Sequence, residues 1–165
     1  ISFLQQELPD DSIVISGAQI ESHNLGTIII TPSCIFVLRA VFPTTVVEFQ
    51  EQSFMHERTT IERNMYRLLS NKVRQDHEAL RNLLHQLLPG VTPSFQELIV
   101  ISEDKEWATH DASIPSMPVI PIKNVCSYIR RFSGAAKLLS LSEMFKIAEL
   151  LWVPQSFKSH DWANC

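Results

Sequence analysis

Cysteine and glycine are both scarce in this chain, and long apolar runs are absent. Three cysteines with no Cys-x-x-Cys pair support neither a disulfide framework nor a cysteine zinc site, and they fit a reducing, cytoplasmic compartment. Four scattered glycines leave no glycine-rich phosphate loop. The longest apolar stretch, 28–42, is interrupted by Pro32 and Arg39 and falls short of the roughly 20 residues that a membrane-spanning helix needs. The sequence therefore predicts no membrane span.

Charge is sparse and close to balanced, with 14 basic and 18 acidic side chains among 165 residues and a formal net charge of −4. Dedicated nucleic-acid-binding domains are usually strongly basic, so this balance counts against that class, although local basic patches stay open. At 45% hydrophobic, the chain can bury one substantial core. It begins with Ile1 and shows no signal-peptide pattern, so we expect a piece of a longer protein.

Apolar patterning predicts an α/β order of elements. The expected elements are a helix over 1–8, strands over 12–16, 27–31, 35–42 and 46–49, a long helix over 59–88, a strand over 97–102, an edge strand at 119–120, and helices over 122–134 and 140–151. The strands over 27–31 and 35–42 form a hairpin and lack alternation, which is typical of strands covered on both faces. The predicted domain spans 1–153, with 122–153 a C-terminal helical pair, and 154–165 is a tail or the start of a linker.

The long helix carries the most detailed predictions. Thr59 and Glu62 have the spacing of a capping box and are expected to begin it. Lys72 and Asp76 form an i,i+4 pair that interrupts the apolar side, so a bend near residues 70–71, or departure from the sheet, is expected there. Ten apolar residues are expected on one side of the helix, namely Ile61, Met65, Leu68, Leu69, Val73, Leu80, Leu83, Leu84, Leu87 and Leu88. Four arginines within about 40° of one another are expected on the opposite side, namely Arg63, Arg67, Arg74 and Arg81.

Several segments resemble one nuclease family. The run N-L-G-T-I-I-I-T-P-S-C-I-F-V-L-R-A-V over 24–41 resembles a pattern of E-I-D, four apolar residues, T-P-x-G and I-F-V-I-E-V-K. N-K-V-R-Q over 71–75 resembles an N-P-x-x-Q segment. Both patterns belong to the nuclease-related domain (NERD) family of the PD-(D/E)XK nuclease superfamily, and the resemblance covers about residues 1–132. It implies a restriction-endonuclease-like core, in which a central mixed β-sheet is flanked by α-helices.

The resemblance also implies that the catalytic residues are lost. The family's metal-binding aspartate falls on Gly26, its glutamate on Arg39 and its lysine on Val41. Two carboxylates and a lysine are needed to hold a divalent cation and to activate water, and an arginine in their place repels the cation. Positions 39 and 41 share a strand face and are expected to point into one cleft. No metal, cofactor or enzymatic activity is therefore expected.

Arg39 has two interpretations. It is a buried or half-buried cation that pairs with a nearby carboxylate such as Glu48 or Glu21, because an unpaired charge inside a sheet is costly. Alternatively, its guanidinium anchors a phosphate or carboxylate without cutting. Glu48, Glu21 or Glu7 could in principle supply a migrated metal ligand, but a single acid does not rebuild the site.

The arginine stripe is open to three interpretations, which are a solvated helix face, a contact with a partner protein and a track for a nucleic-acid backbone. The histidines lack metal-binding spacings. Cys34 is expected to be a buried structural thiol rather than a nucleophile. Trp162 in the tail is a candidate docking residue.

These features predict a non-catalytic scaffold or adaptor that acts by protein–protein contacts with other subunits. The resemblance implies a bacterial DNA-processing, conjugation or secretion complex. A nucleic-acid-binding module that does not cleave is the first alternative, and an active metal-dependent nuclease with migrated residues is the second.

Overall fold

A computed structural model describes residues 8–20, 23–41, 55–102, 117–132 and 138–152. Over 55–63 it describes the backbone only. The strands are β1 (Ile13–Ser16), β2 (Gln19–Ile20), β3 (His23–Asn24), β4 (Thr27–Ile30), β5 (Ile35–Val41), β6 (Phe95–Ile101) and β7 (Val119–Pro121). The helices are α1 (Met55–Leu87), α2 (Val125–Arg131) and α3 (Leu141–Leu151), and a short 3₁₀ turn, Ile122–Asn124, precedes α2.

Five strands form one mixed sheet in the order β1-β4-β5-β6-β7, and β2 and β3 form a separate two-stranded hairpin. β1, β4 and β5 pair antiparallel, whereas β5, β6 and β7 are parallel. Parallel neighbours need a crossover connection, and α1 supplies it between β5 and β6. The predicted α/β class with a mixed sheet is confirmed.

Helices cover both faces of this sheet. On β5, Ile35 and Val37 alternate with Phe36 and Leu38, so that the first pair packs toward α1 and α3 and the second pair toward α2. The same alternation continues on β4 and β6. Burial of both sheet faces explains why the apolar runs of these strands are unbroken.

Most predicted elements are present with shifted ends. The β4–β5 hairpin, the strand β6 and the edge strand β7 are confirmed, and β7 lies at the border of the sheet next to β6. Ser140, at the predicted start of the last helix, caps α3 through reciprocal bonds with Glu143, the spacing of a capping box. The connection over 18–25, predicted as irregular, contains the β2–β3 hairpin instead. The predicted helix over 1–8 and the predicted strand over 46–49 lie outside the described residues, apart from Leu8.

The start of helix α1 and the exposure of two of its leucines differ from the prediction. The helix begins at Met55, so Thr59 is an interior position and the predicted capping box does not begin the helix. Leu68 and Leu87, expected on the apolar side, are exposed. The helix also runs unbroken past residues 70–71 and stays on the sheet, because Val73, Asp76 and Leu80 are all buried against it.

The start of β7 is attached to α1 by a tyrosine. The hydroxyl of Tyr66 accepts a hydrogen bond from the backbone N–H of Met117 at 2.7 Å and donates one to its carbonyl at 3.3 Å. Both backbone groups of a buried residue are thereby satisfied, which positions the edge strand relative to the helix. Within the described ranges, no helix is long and apolar enough to cross a membrane.

Candidate functional site

Arg39 lies on β5 where the sheet meets α1. Strand alternation directs its side chain to the same face as Val37 and Val41, which is the face that α1 covers. Its Nε donates a hydrogen bond to Oδ2 of Asp76 at 2.7 Å, and its Nη2 donates to the backbone carbonyl of Asn24. The carboxylate pairing expected of Arg39 is therefore present, and Asp76 is a partner that the sequence did not suggest. Glu48 and Glu21, the carboxylates named from the sequence, lie outside the described residues.

Asp76 is the most deeply buried charged group of this cluster, with 1% of its side chain exposed. Lys72, one turn earlier on α1, places its Nζ 3.3 Å from the second carboxylate oxygen, Oδ1. This approach neutralises charge but lacks hydrogen-bond geometry, so Oδ1 accepts no hydrogen bond within the described residues. Burying a carboxylate is expensive, and here two cations compensate for the cost. The predicted Lys72–Asp76 pair is thus part of a three-residue charge cluster.

Gly26 sits beside this cluster and has no room for a side chain. Its φ of +73° is in the left-handed region, and a Cβ added there would meet the carbonyl oxygen of Leu38 at 2.9 Å and Cγ of Arg39 at 3.2 Å. Its N–H is held by the side-chain oxygen of Asn24 at 2.9 Å. An aspartate at this position would displace either β5 or the arginine.

Val41 shares the Arg39 face, as the sequence predicts, but it does not line an open cleft. It is buried in the core cluster that also contains Ile99, Ile101 and Val73. At the three positions that the resemblance aligns with two acids and a lysine, the structure has a glycine without space for a side chain, an arginine bonded to Asp76 and Asn24, and a packed valine. The positive charge of Arg39 is neutralised by the buried carboxylate of Asp76.

A second polar site, missed at the sequence level, lies on the other flank of α1. His77 Nδ1 is 2.7 Å from Oε1 of Glu97 on β6, and the imidazole also packs on the ring of Phe95 with centroids 4.5 Å apart. Together with Arg74 and Met117, these residues line a groove of about 320 Å³. The carboxylate fixes the orientation of the imidazole. The available signal was the single acid, Glu97, in a largely apolar strand.

The arginine stripe does not lie opposite the buried face of α1. Counting about 100° per residue, Arg67, Arg74 and Arg81 are roughly 60–100° from Tyr66 and Leu84 at the centre of that face, so they flank it. Arg67 and Arg81 are exposed, whereas Arg74 is half-buried at the groove. Arg63 is in the helix, but its side chain is outside the described part. The structure therefore does not present the arginines as one continuous exposed line.

The remaining candidates have simpler surroundings. Cys34 is buried between β4 and β5, and burial raises the pKa of its thiol to about 12, which disfavours the reactive thiolate. That environment is typical of the structural thiol predicted. Trp162 and Glu7 lie outside the described residues. In the described ranges, no group of three His, Cys, Asp or Glu side chains is placed to hold a metal ion.

Comparisons of the chain with protein-family models, with curated proteins and with solved structures find no match. The resemblance to the nuclease-related domain family consequently depends on the motifs of the sequence and stays a prediction.

Proposed function

We propose that this domain is a non-catalytic scaffold or adaptor with an inactivated restriction-endonuclease-like core, acting through contacts with other protein subunits. The order of elements supports such a core: three antiparallel strands, a crossover helix and two further parallel strands. The resemblance suggests a bacterial DNA-processing, conjugation or secretion complex as its setting.

The observation that carries the proposal is that Arg39 is bonded to other groups of the protein. A nuclease of this superfamily would need oxygen ligands for a cation at this place. Instead, a guanidinium occupies the space, bonded to Asp76 and to the Asn24 backbone. Among the described residues, the buried carboxylate at this place belongs to Asp76, and it already neutralises two cations, Arg39 and Lys72. A divalent ion would have to compete with both and would be repelled by their charge.

A plasmid-nicking assay tests the loss of catalysis. Supercoiled DNA incubated with the protein and Mg²⁺ or Mn²⁺ should remain intact. Arg39→Glu should also fail to cut, because Gly26 and Val41 still lack the other two groups. Metal-dependent cutting by the wild-type protein that disappears in Asp76→Asn would contradict the proposal, as would cutting by the Arg39→Glu variant.

Filter binding of duplex and single-stranded DNA at two salt concentrations tests the first alternative. A binding module that uses phosphate contacts must lose affinity steeply with salt. The scaffold proposal predicts weak retention that is unchanged in Arg67→Ala/Arg81→Ala. Tight, salt-sensitive retention that this double variant abolishes would replace the scaffold with a nucleic-acid-binding module.

A further inference from the structure

We draw no further inference here: the strongest candidate, the surface patch of exposed apolar side chains at Leu141, Phe145 and Trp152 along α3, carries none because nothing within the described residues shows what covers it.

Discussion

Arg39 and Asp76 face each other across the contact between β5 and α1, with Nε of the arginine 2.7 Å from Oδ2 of the aspartate. The two partners differ in their access to water, because the Asp76 side chain is almost completely buried while Arg39 keeps part of its surface in solvent. Loss of the guanidinium leaves the buried carboxylate with Lys72 as its one cation among the described residues. Loss of the carboxylate leaves a cation that still reaches water. The pair is therefore energetically asymmetric.

We expect Arg39→Met to lower the free energy of unfolding by about 3 kcal/mol, at the low end for a broken buried pair because Lys72 remains. Asp76→Leu should cost about half as much, since the arginine can be hydrated. The double variant should lie within about 1 kcal/mol of the wild type, because a well-packed apolar pair replaces a buried ion pair at little net cost. Urea unfolding measures all three.

Lys72→Met is the control for this cycle, because it removes only the half-exposed partner of Asp76. It should cost no more than about 1 kcal/mol. Equal costs for Arg39→Met and Asp76→Leu, or a double variant as unstable as their sum, would contradict the asymmetric pair.

Gly26→Ala tests the close approach beside Arg39. An alanine forced into the left-handed region costs about 1–2 kcal/mol, and at Gly26 its Cβ would also press on the carbonyl oxygen of Leu38. Gly17 is a matched control, because its φ is +68° and nothing lies within 4 Å of an added Cβ. Gly26→Ala should therefore destabilise the protein by at least about 1 kcal/mol more than Gly17→Ala in chemical unfolding. Equal losses would show that the contact relaxes freely.

The positions of the strands could be predicted from the sequence, because runs of β-branched and other apolar residues between turn residues are typical of buried strands. Ile28–Ile30 and Ile35–Leu38 are such runs, and prolines around Val119 identified the edge strand. The α3 cap followed from Ser140 and Glu143, whose reciprocal bonds are local. Where neighbouring residues determine the local structure, the sequence alone was sufficient to predict it.

Long-range partners were not predictable in the same way. Asp76 is 37 positions from Arg39, and only the packing of α1 on the sheet brings the two side chains together. The pairing of His77 with Glu97 has the same origin. Leu68 was expected on the apolar side of the helix, although at about 100° per residue it lies about 160° from Tyr66, and it is exposed. Each of these differences between prediction and structure concerns which surface a helix or strand contacts.

Cys34 gives the protein a pH dependence of known sign. Burial raises the pKa of its thiol from 9.0 to about 12, so the folded state keeps a proton that the unfolded state releases first. The unfolded state therefore binds fewer protons above pH 9, and the free energy of unfolding should fall as the pH rises from about 9 toward 12. Burial and the neighbouring Cys34 also raise the pKa of Tyr128, which acts in the same direction.

Cys34→Ala separates the thiol from other alkaline effects. The variant should lose part of the decline above pH 9 that the wild type shows in urea titrations. In native protein at pH 8.5, Cys34 should react with iodoacetamide far more slowly than in urea, as followed by mass spectrometry of its peptide. Rapid alkylation of Cys34 in the native state would contradict the buried, protonated thiol.

Tyr66→Phe removes the hydroxyl that satisfies both backbone groups of Met117. A buried N–H without a partner costs about 1–3 kcal/mol, and the loss should appear in the free energy of unfolding. It should also accelerate hydrogen exchange at the Met117 amide, because its acceptor is the missing oxygen. Tyr128→Phe is the control, since no hydrogen bond of the Tyr128 hydroxyl is present within the described ranges, and it should change stability little. If Met117 stayed protected in Tyr66→Phe, the tyrosine would not be what holds the edge strand on α1.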